Sequence, residues 1–324
     1  MDPLIDVLAL VDMRSARFAR LEAAEAWAMS FPGYQHIKLG AVLKGSCRVE
    51  TDGAAPVLAG EGDCYLLGNG RPYRLSSAPG VPARPSSDVF AGFTEGGTVR
   101  LGAPGKPPHT VVVGCGFHLD PANAAVLMDV LPSMVHIPAS SDPAGSIRTA
   151  LDMLRRESAS SALGSALVVE QLAHIVLVQV LRSHVAAQGP TGGAWLTALA
   201  DPAIGAVLAL IHETPARPWT VADLATEAGM SRSHFATRFS DLVGTPPLEY
   251  VAGWRIRSAA RDLRAGSRTV ASIATQWGYG SESSFSHAFK RVIGMAPGQY
   301  RTETQRRTHV TEAGAEDRAS TPGS

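Results

Sequence analysis

From Trp219 to Arg301, apolar residues recur at helical spacing in two successive blocks, each interrupted by a glycine and restarted by a serine. In the first block Thr220 is placed to cap a helix, with Asp223 three residues on. Leu224 and Ala225 face inward, and Gly229 supplies the residue type that tolerates a left-handed stop. Met230 turns inward. Ser231 then opens a second helix with Phe235, Phe239 and Leu242 on one face and Arg232, Ser233, Ala236 and Thr237 on the other. The second block repeats the plan with Ile273, Ala274, Gly278, Tyr279, Phe285 and Phe289, its turn Tyr279-Gly280-Ser281 being one residue longer. Between the blocks, Pro246 and Pro247 begin a helix through Tyr250, Val251, Trp254, Ile256 and Ala260. Its Arg255, Arg257, Arg261 and Arg264 are placed for phosphates. Two helices joined by a short glycine-containing turn are what sets a protruding helix in a DNA major groove.

Upstream the period changes to that of short strands. Arg17–Leu21, Ala24–Met29, His36–Leu43, Ser46–Thr51, Cys64–Leu67, Tyr73–Ser76, Val89–Phe93 and Thr110–Phe117 are separated by turn signals such as Asp52-Gly53 and Gly68-Asn69-Gly70. Strands of this length and spacing predict a sandwich or barrel over residues 1–120.

Residues 121–190 read as helical, in "NAAVLMDVLP", Ser146–Arg156 and Ser161–Ala187. Between Leu172 and Leu181 only His174 and Gln179 are polar, so this last helix has more than one face to bury. One face fits the strands and another a second subunit, with Leu172 or Val176 near the seam; the alternative is a helix inside one larger core. His174 reads as a satisfied interface or core histidine. The Gly/Pro stretch Gln188–Trp195 is the natural domain boundary. Beyond it, Pro202–His212 opens a helical domain over residues 195–304, and the polar stretch 305–324 is expected to be disordered. At the other end, Leu4, Val7, Leu8 and Val11 fit one helix face packed on the domain that follows. Acidic flanks and the lack of a cleavage site argue against a signal peptide. No segment reads as long enough to span a membrane.

Composition changes this picture little. The chain has 324 residues and no formal net charge. Residues 195–304 carry eleven Lys/Arg against nine Asp/Glu, so any basic surface is local, and affinity for DNA should depend on salt through few residues. The three cysteines, Cys47, Cys64 and Cys115, form no CxxC and suit thiols buried in strands in a reducing cytoplasm.

The runs "SRSHFATRFSDLVGTPPLEYV", "WRIRSAARDLR", "VASIATQWGYGSESSFSHAFKR" and "GMAPGQYR" resemble the AraC/XylS family of transcription regulators over the last third of the chain. The segment from His36 to Leu75, with Gly45, Gly62-Asp63 and Gly70…Pro72…Leu75, resembles the small jelly-roll (cupin) sensor found ahead of such domains. The resemblance implies an α+β protein: an N-terminal jelly roll with a helical dimerisation region, and an all-α C-terminal domain with two helix-turn-helix units. It also implies a regulator that binds double-stranded DNA, answers to a small organic effector, forms a homodimer and can contact RNA polymerase. Base reading falls to Arg232, Ser233, Ala236, Thr237, Glu282, Ser283 and His287, and phosphate contact to Arg238, Arg257, Lys290 and Arg291. Where related recognition helices carry arginine, this chain has Thr237 and His287.

Metal-dependent cupins use a His-x-His pair, a glutamate and a later histidine. Here His36 is followed by Ile37 and Lys38, and Tyr73 stands where the last histidine would be, so neither a metal nor a cofactor is expected. The polar strand residues His36, Lys38, Tyr65, Tyr73 and Arg74 are the candidates for effector contact. No nucleophile–base set points to catalysis. The contrasting readings are a cupin enzyme fused to an accessory DNA-binding domain and a regulator whose jelly roll only dimerises.

Overall fold

The computed structural model describes residues 3–306, except 12, 35, 92–96, 104, 120–122, 129–130, 142–144, 161, 189–194 and 267. Along the chain, α1 (Pro3–Leu10) precedes β1 (Arg14–Ala23), β2 (Ala28–Phe31), β3 (His36–Lys44), β4 (Ser46–Thr51), β5 (Val57–Gly60), β6 (Cys64–Leu67), β7 (Tyr73–Ser76) and β8 (Arg84–Pro85). Then come α2 (Ser86–Val89), β9 (Thr98–Leu101), β10 (Thr110–His118), α3 (Ala124–Met128), β11 (Val135–Ile137), α4 (Ser146–Glu157) and α5 (Ser165–Gln188). The remaining helices are α6 (Trp195–Ala200), α7 (Pro202–Glu213), α8 (Val221–Glu227), α9 (Arg232–Val243), α10 (Pro247–Ala265), α11 (Val270–Gln276) and α12 (Glu282–Ile293), and residues 297–306 are also helical. Two compact units result: Val11–Gly192, and a second made of Gly193 onward together with Met1–Leu10.

The first unit is a sandwich of a six-stranded sheet, β11-β6-β3-β10-β1-β9, and a five-stranded sheet, β5-β4-β7-β2-β8. Alternation builds its core. On β4, Cys47, Val49 and Thr51 are buried while Arg48 and Glu50 are only half-buried. The interior holds Leu21, Val42, Tyr65 and Val112 from one sheet and Met29, Val49, Tyr73 and Leu75 from the other. The run expected as a strand over Ala24–Met29 instead carries the chain between the sheets, with the Trp27 N–H donating to Ser77 Oγ, so that β2 begins only at Ala28. Of the strand expected over Val89–Phe93, residues 89–91 are not in a strand, and Gly92 lies outside the described residues. Pro85, with φ of −56°, starts the short α2 there, and Phe93 lies outside the described residues. The strands β5, β8, β9 and β11, only two to four residues long, were not among those expected. All three cysteines are free and buried, and burial pushes the Cys47 and Cys115 thiols up to about 12.

The motif Gly62-Asp63 has a structural job. Asp63 accepts from Gly60 N (2.9 Å), Ala139 N (2.8 Å) and His136 Nε2 (2.9 Å), tying the β5–β6 turn to the chain leaving β11. Helices α4 and α5 pack on each other, α4 also meeting β3, and α5 meeting β1 and β11. The six-stranded sheet is therefore covered on both faces, which explains the nearly unbroken apolar runs of β3 and β10.

Helix α5 corrects two expectations. Leu172 and Val176 are buried, and His174 is satisfied by the Glu170 carbonyl at 3.0 Å and lies edge-on to Phe117. These residues belong to the interior of the unit and not to a seam. The helix is also long and apolar enough, by length and composition, to cross a membrane over Ser165–Ala187, contrary to the expectation that no segment would be. Its contacts with two strands and α4 account for the apolarity of its buried face as packing.

Helix α1 gives a third correction. It belongs to the unit that begins at Gly193, packing there on α7 and α10 with Val7 and Leu10 fully buried. Asp6 approaches His212 Nδ1 at 3.3 Å, while His212 Nε2 lies 2.8 Å from the Tyr250 hydroxyl and the imidazole stacks on Trp254 at 3.6 Å. A carboxylate can only accept, so Nδ1 carries the proton and Nε2 accepts from the phenol. Burial depresses the His212 pKa to about 3, which keeps this neutral tautomer. The partners come from positions more than 30 residues apart, and the apolar pattern of α1 contains no signal for them.

Candidate nucleic-acid interface

The two helix-turn-helix units are built as the pattern predicts. Thr220 Oγ1 accepts from Asp223 N at 3.1 Å and the Asp223 carboxylate accepts from Thr220 N at 2.9 Å, a complete capping box. Gly229 and Gly278 both take positive φ, 63° and 80°, to end α8 and α11 respectively and turn the chain. The side chains of Ser231 and Ser281 then cap α9 and α12. Phe235, Phe239, Phe285 and Phe289 are wholly buried, and each pair sits with ring centroids 5.5 Å apart. Leu242 and Met230 are only half-buried; Val243 joins the phenylalanines instead.

With these faces inward, the opposite faces of α9 and α12 meet solvent. Arg232, Ser233 and Thr237 are exposed on α9 and Ala236 is half-buried, while Glu282, Ser283 and His287 are exposed on α12. His234 and Ser284 are exposed beside them and were missed, because each directly precedes a core phenylalanine and so reads as the edge of the apolar face. Ser284 is partly committed, its hydroxyl donating to the Ser281 carbonyl at 2.9 Å; His234 offers an imidazole.

The arginines divide into two kinds. Lys290 and Arg291 lie exposed on the last turn of α12. Arg238, expected on a phosphate, instead pairs with Asp201, whose side chain is only 8% exposed. Asp201 also caps α7 by accepting from Ala203 N and Ile204 N. Burial alone would raise the Asp201 pKa, but the Ile204 N–H, the Arg238 guanidinium and the Ala203 N–H together hold it below the usual value. Arg238 therefore braces α9 against α7. Arg255 is likewise structural, donating to the carbonyls of Pro215 and Arg217. Arg257 is half-buried on α10.

The candidate effector residues of the sandwich separate in the same way. His36, Lys38 and Tyr73 gather around Tyr34: its ring lies 5.3 Å from that of His36 and 5.7 Å from that of Tyr73, and the Lys38 ammonium is 5.9 Å from its centroid. Phe31 stacks on Tyr73 at 4.3 Å, and the buried Tyr34 hydroxyl has no hydrogen-bond partner among the described residues. Tyr34, Phe31 and that hydroxyl were not foreseen, because isolated aromatics in a strand pattern read as core. Tyr65 is fully interior, its ring filling the space above Gly40, where a Cβ would lie 2.0 Å from Tyr65 Cζ. Arg74 lies on the outer side of the five-stranded sheet, bonded to Glu50 at 3.0 Å and to the Val81 carbonyl, so it faces away from this group. Among the described residues, no three His, Cys, Asp or Glu side chains gather as a metal site would need.

Residues 2–186 match the family of cupins and residues 224–303 that of helix-turn-helix domains. An AraC-like transcription regulator of Streptomyces lividans is 43% identical over 302 residues, 93% of this chain and 98% of its own. One from Streptomyces antibioticus is 41% identical over the same shares. The HTH-type transcriptional regulator AlkR of Acinetobacter baylyi is 28% identical over 94% of this chain and its own full length.

Proposed function

The chain belongs to the AraC-like transcription regulators with a cupin-type N-terminal domain, and from that premise we propose that α9 and α12 read bases in two successive major-groove segments. The observation that carries this reading is the pair of exposed helix faces set by the buried phenylalanines. Arg232, Ser233 and Thr237 stand on one, Glu282, Ser283 and His287 on the other, with His234 added to the first. Lys290 and Arg291 contact phosphates at the end of α12, and Arg257 joins them from α10. Threonine touches a thymine methyl, so with Thr237 and His287 where related helices carry arginine the operator differs at the bases facing these two residues, by about 1–3 kcal/mol per contact. Selection of preferred sites from random duplex DNA with wild type, Thr237→Arg and His287→Arg tests this. Each substitution should shift its own half of the selected site towards guanine. An unchanged motif for both would remove these helices from base reading.

The N-terminal unit is the sensor in this reading, with the group around Tyr34 (His36, Lys38 and Tyr73) contacting a small organic effector and RNA polymerase the downstream partner in the cytoplasm. Assembly is supported by a separate observation: α5 leaves Leu167 61% and Ile175 48% exposed, two turns apart, with Val168 beside them. A second copy of the chain covers this stripe. Leu167→Asp with Ile175→Asp should yield a monomer by sedimentation at micromolar concentration, and a wild-type monomer there would end the idea.

A further inference from the structure

Helix α10 joins the two helix-turn-helix units but does not hold them in the same way. It packs more extensively on α11 and α12 than on α9. Towards the first half, Trp254 stacks on His212 of α7 at 3.6 Å and Tyr250 lies edge-on to Phe239 of α9. Those contacts bear on α7 and α9, and apolar packing, being non-directional, sets their register only loosely. The loop between α7 and α8 is held separately. Residues 214–219, Thr-Pro-Ala-Arg-Pro-Trp, form a braced block in which two prolines fix their own φ. The Thr214 carbonyl accepts from both Arg217 N and Trp219 Nε1 at 3.1 Å, closing the block end to end. The Arg217 guanidinium lies over the buried Trp219 ring at 3.9 Å. Thr220, the next residue, caps α8, so the block moves with the first half.

Arg255, midway along α10, fastens this block with one guanidinium. Its Nε donates to the Pro215 carbonyl and its Nη2 to the Arg217 carbonyl. The turn of the second half closes on the same block, where a Cβ on Gly278 would lie 2.8 Å from the Ala216 carbonyl oxygen. Tyr279 follows, and its phenol feels the same cation: burial raises its pKa, and the guanidinium groups of Arg255 and Arg291 oppose that rise. A planar fork on two fixed carbonyls sets direction as well as distance, which a lysine ammonium, a single point charge, does not.

We propose that Arg255 is a positioning residue that sets the distance and twist between α9 and α12, and with them the one operator spacing the protein accepts. This rests on the reading that both helices enter the major groove. One base pair inserted between the two segments moves the second by about 3.4 Å and turns it by about 35°. The test measures the affinity of the full chain for its selected operator and for versions with one base pair inserted or removed between the segments. Wild type should bind the altered versions about tenfold to a hundredfold more weakly, the loss of one half's base contacts. Arg255→Lys, which keeps the charge, and Arg255→Gln should each narrow that gap to about threefold and leave the preferred bases unchanged. A gap as wide as in wild type for both variants overturns the proposal. So does a loss on all operators alike in Arg255→Gln that Arg255→Lys restores, since that marks a phosphate contact. Spin labels on Ser233→Cys and Ser283→Cys, exposed on α9 and α12, read the same geometry without DNA, in full chain mixed with excess unlabelled protein. The native cysteines are buried. The label distances should shift or broaden in both Arg255 variants, and distances equal to wild type overturn the clasp. Distances that respond, with no spacing preference in wild type, remove the two-groove reading and leave the clasp standing.

Discussion

The two helix-turn-helix units repeat one plan, yet they are anchored differently. In both, a threonine caps the first helix, a glycine with positive φ turns the chain, a serine caps the second helix and two phenylalanines lock it. The first unit is then braced by groups from elsewhere in the chain: Asp201 holds Arg238 of α9, and His212 of α7 packs among Tyr250, Trp254 and Asp6. The second is braced by its neighbours, Asp262 accepting from Trp277 Nε1 at 3.0 Å and Tyr300 packing edge-on to Phe289. The turns differ as well. A Cβ on Gly229 would meet open space, whereas one on Gly278 would lie 2.8 Å from the Ala216 carbonyl oxygen. Residues 215–217, also gripped by Arg255, thus join the two halves. A motif repeated in sequence therefore specifies the helices, while the contacts that set one half against the other are written outside it.

The largest difference should come from the two glycines. Gly229→Ala meets only the left-handed backbone cost, about 1 kcal/mol. Gly278→Ala adds a backbone clash to it, for a total of about 3 kcal/mol. Denaturant unfolding of the two variants checks this, and equal losses would show that residues 215–217 move away freely.

Acid should weaken the first half through His212. Its folded pKa of about 3 lies below the unfolded value, so between those values the unfolded state binds the extra proton. The stability from burying it neutral is fully present above about pH 6.5 and is lost as pH falls towards 3, by about 1.4 kcal/mol per pH unit. At pH 5 the loss is about 2 kcal/mol. His212→Gln should remove one proton from the uptake on unfolding measured between pH 6 and 5; an unchanged uptake would mean that His212 is already charged in the fold.

Much of the helical unit was legible because caps, turn glycines and the apolar stripe are local signals, each within about four residues of its partner. The exposed faces of α9 and α12 follow from that stripe. Arginine roles were not legible. Arg238 reads in sequence as one more cation on an exposed face, and what claims it is Asp201, 37 residues before it. The same holds for Arg74, claimed by Glu50 across the sheet, and for α1, whose apolar face fits the sandwich as well as the helices it meets. Leu172 and Val176 misled because an all-apolar helix does not say which face its own unit uses.

The smallest contrast lies in the caps. Thr220 and Thr269 each accept from the third residue of their helix, at 3.1 Å in both cases, so alanine at either should cost about 1 kcal/mol. Only the first cap is reciprocal, because Asp223 stands where the second unit has Ser272. Hydrogen bonds from the Thr220 hydroxyl and N–H hold the Asp223 carboxyl below its ordinary pKa. Thr220→Ala should therefore raise the Asp223 pKa towards that of a free aspartate, while Thr269→Ala leaves it untouched, as read by carboxyl NMR titration. The carboxyl would keep part of its depression, since the backbone N–H of residue 220 survives the substitution. If Asp223 titrates identically in wild type and Thr220→Ala, the hydroxyl contributes nothing to the box, and the two caps are equivalent in solution.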